Sequence, residues 1–301
     1  MLQCLCHRAT GITAHLENGG TLEQMSRRAR PSSTAGPRTR SHWTKLSGSP
    51  FDPMAAKRHH TRKMPNNGAT QMCVYCGSAP ATTHDHVPPK NLFPRPRPQL
   101  ITVPSCAEHN KGAAKDDEYF RLSVVVNKDA AFHPAAHQSW QTTYRGLQRP
   151  QASGFKLAFL KSLEQAPVFS RGGLYLGETM TYAVDSKRQA QVVARTIRGL
   201  YYDQTGRILP DHHVLVYPIA YLAKHKAIMG RLWSLGSRAV TVLPLKPPRL
   251  TIGNGIFSCW WEELRGGSFS VWLLDFFSMS FVGFVIPKAH LPGGPRGFGF
   301  P

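Results

Sequence analysis

Residues 71–93, QMCVYCGSAPATTHDHVPPKNLF, and residues 100–112, LITVPSCAEHNKG, decide how this chain is read. Cys73 and Cys76 are separated by two residues, and Cys106 and His109 repeat that spacing about 30 residues later. A C-x-x-C turn aims two sulfurs at one point. Three thiolates and one imidazole then make a closed tetrahedral set for a structural Zn²⁺, of the kind that holds a small fold together. The chain has six cysteines and three fall in this pattern, so a disulfide framework is not the natural reading. Such usage fits a reducing compartment, and the cytoplasm is the expected location. Cys259, beside Trp260 and Trp261, reads as core.

A purely structural knuckle needs nothing polar at its centre, yet THDHVPPK (83–90) lies between the two halves. Asp85 and His86 are adjacent, so on a strand their side chains face opposite ways. A helix beginning near Cys106 or His109 puts Asn110 on its first turn. Asp85 and Asn110 are then placed to share a hard cation with water and phosphate oxygens, leaving His86 to take a proton from water. Lys90, Arg95, Arg97, Lys111 and Lys115 surround this set and suit phosphate contacts. Read without catalysis, the same residues are a solvated Asp and surface histidines on a DNA-binding knuckle.

The whole chain has 37 Lys and Arg against 17 Asp and Glu, a formal net charge of +20. That balance is extreme for a metabolic enzyme and implies a polyanionic partner. DNA is favoured over a membrane because the charge is spread along the chain, with no basic amphipathic helix or lipidation signal. The apolar run Phe269 to Ile286 is interrupted by Asp275, which at a membrane helix centre costs about 2.5–3.5 kcal/mol. Its aromatic and β-branched content, broken at Ser278-Met279-Ser280, predicts a β-hairpin in a soluble core.

At this point the pieces, C-x-x-C, DHVPPK, LITVPSCxxHNKG and KDDEYF, together resemble the HNH endonuclease family over roughly Cys73 to Phe120. The resemblance implies a ββα-metal core on a zinc ribbon and metal-dependent hydrolysis of DNA phosphodiester bonds. By position it makes His86 the general base, and Asp85 and Asn110 the ligands of a catalytic Mg²⁺, Mn²⁺, Ni²⁺ or Zn²⁺. Two positions depart from the family pattern: His109 stands where a fourth cysteine is usual, and Gln99 stands near the place of the asparagine that orients the catalytic histidine. Asn91 is the nearest asparagine, and His84 is an additional imidazole. The alternative from another class is a non-catalytic zinc-ribbon protein that binds nucleic acid.

The expected fold class is α+β, with the HNH-like core followed by a mixed antiparallel α+β domain. Residues 1–68, rich in Arg, Ser, Gly and Pro, read as a disordered basic arm. The nuclease domain is expected over 69–125, a partly helical bridge over 126–165, the C-terminal domain over 166–290 and a flexible Gly/Pro tail over 291–301. VPPKNLFPRPRP reads as an extended connector. In the C-terminal part, strands are expected in GGLYLGETMTYAV, HHVLVYPI, RAVTVLPL and GIFSCWWEEL. A helix capped by Asp185 or Ser186 should bury Ala190, Val193, Ala194, Ile197 and Tyr201.

Overall fold

The computed structural model describes residues 2–4, 71–170, 172–209, 211–219, 221, 243–264 and 269–290. The expected basic arm beyond residue 4, the first part of RAVTVLPL and the 291–301 tail lie outside the described residues. The fold is mixed α+β. Strand β1 (Leu2–Cys4) pairs antiparallel with a strand much later in the chain. The metal motif supplies an antiparallel hairpin, β2 (Thr83–Val87) and β3 (Ile101–Ser105), followed by α1 (Ala107–Lys111) and α2 (Ala114–Val125). Asp116 and Asp117 fall in the first turn of α2, where carboxylates favour the helix dipole.

The bridging region contains α3 (Ala136–Leu147) and α4 (Ser153–Lys161). It then enters β4 (Leu163–Phe169), which pairs with β5 (Tyr175–Ala183), so a strand begins inside the stretch expected to be a partly helical bridge. Helix α5 (Ser186–Thr205) starts at Asp185, whose side chain accepts from the Arg188 N–H, and ends at Gly206 in the left-handed conformation. Both ends follow the expected capping chemistry.

Five antiparallel strands form the largest sheet, in the order β6-β10-β9-β8-β7: β6 (His212–Pro218), β7 (Leu250–Ile252), β8 (Phe257–Leu264), β9 (Phe269–Phe276) and β10 (Met279–Pro287). The run from Phe269 to Ile286 is therefore a hairpin, as its composition predicts, with the turn at Phe277 and Ser278. No helix among the described residues is long and apolar enough to cross a membrane. Leu243–Leu245, expected to end a strand, form a 3-10 turn instead, because Pro244 has no N–H to give to a ladder.

Helix α5 lies between the large sheet and the metal-motif hairpin. A Cβ at Gly283 on β10 would come within 2.2 Å of Ile197 Cδ1, and one at Gly199 within 2.5 Å of a Val87 methyl. Glycine at both places lets the three elements approach this closely. The buried set on this side runs from Val74 through Phe120, Val193 and Ile197 to Phe281 and Val285. A second set, including Tyr217, Val271, Val282 and Phe284, lies on the other face of the large sheet. The proline-rich connector is not simply extended: it makes a 3-10 turn at Lys90–Leu92 and buries Leu92 and Phe93, since two adjacent large apolar side chains have more to gain in the core than in water.

Candidate metal centre

The first half of the motif is a tight loop. Gly77 N–H donates to the Cys73 carbonyl and Cys73 N–H to that of Ala79, both at 2.8 Å, while Met72 and Pro80 bridge its ends. Val74 N–H donates to the Pro104 carbonyl at 3.0 Å, which fixes this loop against the strand that delivers the second half. Cys106 is the N-cap residue of α1 and His109 follows within its first turn, with Nδ1 3.1 Å from Cys106 Sγ. One ligand atom from each of Cys73, Cys76, Cys106 and His109 lies within 4.8 Å of all the others.

Zinc–sulfur bonds of about 2.3 Å in a tetrahedron put sulfurs about 3.8 Å apart, so the spacing and chemistry of this donor set fit Zn²⁺. Burial raises the Cys76 thiol, but hydrogen bonds from Ser78 and Ala79 N–H groups outweigh it and bring the thiol down to about 7. The four side chains form a zinc-binding motif in a mixed α+β protein. No protein family matches the chain, and no curated protein or solved structure does either.

The acidic residue between the halves is not left to solvent. Asp85 is buried, and both carboxylate oxygens have partners: Oδ1 accepts from the His86 N–H at 2.8 Å, and Oδ2 from the Tyr75 hydroxyl at 2.8 Å. Arg195 Nε of α5 lies 3.5 Å from Oδ2, and the same guanidinium pairs with Asp117 of α2. Tyr75, Asp85, Asp117 and Arg195 thus form one network across four segments. Burial, then the Asp85 charge, push the Tyr75 phenol upward, so it stays protonated and donates. Burial also raises Asp117 to about 6, with Arg195 pulling the other way.

Asn110 reaches β2, its amide nitrogen donating to Thr83 Oγ1 at 3.0 Å and to the His84 carbonyl at 3.1 Å. Thr83 and Asp85 share a face of β2, so the Asn110 and Asp85 side chains come to the same side of the strand. His86 faces the other way and is half-buried. Its imidazole is held below the ordinary range by burial and then by Lys90, with Arg97 adding and Asp85 opposing. Gln99 is exposed two residues ahead of β3, and no hydrogen bond joins it to His86 among the described residues.

Lys90, Arg95, Arg97, Lys111 and Lys115 are all exposed. Arg97 Nε donates to the Lys90 carbonyl at 3.2 Å, and Gln138 of α3 holds the Arg95 carbonyl at 3.0 Å, so the basic connector is closed on itself and tied to α3. A cleft of about 520 Å³ borders the metal motif, with Tyr75, His109, Asp116 and Arg195 in its wall. Arg195, Asp117 and Tyr75 were not among the residues the sequence singled out. The signal for Arg195 is present in hindsight: a charged residue flanked by Val192, Val193, Thr196 and Ile197, all buried.

Proposed function

We propose that this chain is a zinc-stabilised nucleic-acid-binding protein whose hairpin and following helix are built on an HNH-like plan. The observation that carries this reading is the four-ligand set that joins the Cys73–Cys76 loop to the start of α1, in a segment that also carries an exposed group of basic residues and in a chain with a net charge of +20. Lys90, Arg95, Arg97, Lys111 and Lys115 would contact phosphates, which predicts affinity for DNA that falls steeply with salt. Asp85 does not need a metal for its burial, because Tyr75, Arg195 and the His86 N–H already satisfy it.

A second reading, HNH endonuclease, is favoured by His86. A half-exposed imidazole held neutral by its surroundings, with Lys90 and Arg97 near it, suits a general base at a phosphodiester. In that reading β2, β3 and α1 make a ββα-metal core, and Asp85 and Asn110 would hold the divalent cation.

Fluorescence anisotropy with labelled duplex DNA over a range of salt tests the first reading, and its failure at every salt concentration would remove it. Plasmid nicking with Mg²⁺, Mn²⁺ or Ni²⁺ against chelator separates the two. Nicking that His86→Ala abolishes, with zinc content and DNA affinity kept, establishes the endonuclease. Binding with no nicking under any of these ions leaves the binding protein.

A further inference from the structure

A second cavity, of about 540 Å³, lies between α2, the turn joining α3 to α4, and the start of α5. Lys115 and Glu118 of α2, Arg149, Phe155 of α4 and Arg188 of α5 line it. Arg188 is committed elsewhere: it pairs with Asp116 at 2.6 Å, donates to the Lys115 carbonyl at 2.8 Å and lies 4.4 Å over the Tyr119 ring. Lys115 and Arg149 are in no ion pair among the described residues.

Behind Glu118 sits Arg121, whose side chain is only 9% exposed and whose single acidic partner is Glu118 at 3.8 Å. Its Nε is buried with no hydrogen-bond partner. Burial pulls its pKa down, and Arg149 and Arg97 add to that although Glu118 opposes. The cavity wall thus holds one carboxylate, Glu118, against three cations, Lys115, Arg149 and Arg188, and of these only Arg188 is paired, with Asp116; Glu118 itself is shared with the buried Arg121 behind it. Such a place lacks negative charge.

Phosphate alone would leave most of a cavity this size empty, whereas volumes of this order suit small organic ligands. Phe155 supplies an aromatic wall, braced edge-on against Tyr119 with centroids 6.3 Å apart. Exposed Lys115 belongs both to this cavity and to the basic group that follows the hairpin, so the two share a cation.

We propose that the cavity seats one nucleotide of a bound nucleic-acid strand, its phosphate between Lys115 and Arg149 and its base against Phe155. Aromatic stacking beside a basic track is the usual means of holding a single strand without sequence preference. The proposal rests on the nucleic-acid reading above, but on residues that lie apart from Asp85, His86 and Asn110.

The test uses the full chain with a labelled single-stranded oligonucleotide, and with AMP as competitor. Arg149→Gln and Lys115→Gln should each weaken strand binding several-fold and flatten the salt dependence by about 0.7 in log–log slope, one lost contact on a single strand. Phe155→Leu should weaken binding with the slope unchanged. Zinc content and unfolding temperature should stay those of the parent, and AMP should compete with the strand in the parent only. Unchanged strand affinity in both Arg149→Gln and Phe155→Leu, while Lys90→Gln or Arg97→Gln loses it, overturns the cavity assignment and keeps the nucleic-acid reading. AMP binding that depends on Arg149 with strand binding indifferent to it makes the cavity a free-nucleotide site and also overturns the proposal. A parent protein that binds no strand or duplex at any salt removes the underlying reading itself.

Discussion

Arg195 lies between two carboxylates from different segments, Asp85 on β2 and Asp117 on α2, and all three side chains are largely removed from water. Burying such groups is unfavourable unless each is paired, so the pairing is a condition of this packing more than a source of surplus stability. Replacing Arg195 with Met leaves two buried carboxylates without their cation. Urea unfolding should show a loss of about 3–5 kcal/mol, with Arg195→Lys intermediate because an ammonium keeps the charge and loses the fork. An Arg195→Met protein as stable as the parent would mean the pair is not formed in solution. Asp117 adds a pH dependence whose sign follows from its raised value of about 6. The folded state holds this proton more tightly than the unfolded chain, so the contribution is fully present below the ordinary carboxylate pKa and is lost as pH rises through about 6. Relative to Asp117→Asn, the parent should therefore become less stable between about pH 4 and pH 6 and stay level above that. Urea midpoints of both proteins across this range check it, and a difference that runs the opposite way contradicts the raised value.

At the scale of elements, α5 shows what a sequence pattern can and cannot carry. Its Asp185 cap and a three-and-four apolar spacing were legible; of the expected face Val193 and Ile197 are buried, while Ala190, Ala194 and Tyr201 are only half-buried. The buried surface is wider than one stripe, however, taking in Gln189, Val192, Thr196, Gly199 and Leu200. A helix gripped on two sides, by the Val87 strand and by β10, has no single face for a periodicity to report. Strand β4 was missed for a different reason. Glu164, Gln165 and Pro167 look nothing like a strand by themselves, and only the hairpin pairing with β5, the next strand along the chain, fixes them as one. The close approach of α5 to β10 can be tested at Gly283. Gly283→Ala puts a methyl where Ile197 Cδ1 lies, an overpacking expected to cost about 1–3 kcal/mol. Ile197→Val removes that methyl, so the double variant should be more stable than the two separate losses predict. Simple additivity in thermal unfolding would show that the helix and strand sit farther apart than described.

For the whole molecule, the metal ligands were readable from spacing because all four lie within a span of 37 residues, Cys73 to His109, where local turns dominate geometry. What closes over them was not readable, since Arg195, Gly199 and Tyr202 come from a helix that begins only at Ser186. That helix touches the motif at three places: Arg195 on Asp85, Gly199 against Val87, and Tyr202, whose hydroxyl accepts from Gln71 Nε2 at 3.0 Å. The same helix packs Ile197 onto the large sheet, so motif and sheet share one buried set from Val74 to Val285. Metal release should therefore be felt beyond the knuckle. Structural zinc contributes apparent binding energies of about 10–16 kcal/mol in small peptides near neutral pH, comparable with the whole stability of a typical domain at about 5–15 kcal/mol. Elemental analysis should find one zinc per chain, and chelation or Cys73→Ser should lower the unfolding temperature strongly. The loss should come as one cooperative transition, with amide exchange quickening in both 71–111 and α5. If chelation instead frees only the knuckle while α5 and the five-stranded sheet keep their protection and melting temperature, the contacts of Arg195, Gly199 and Tyr202 do not couple the two halves of the core.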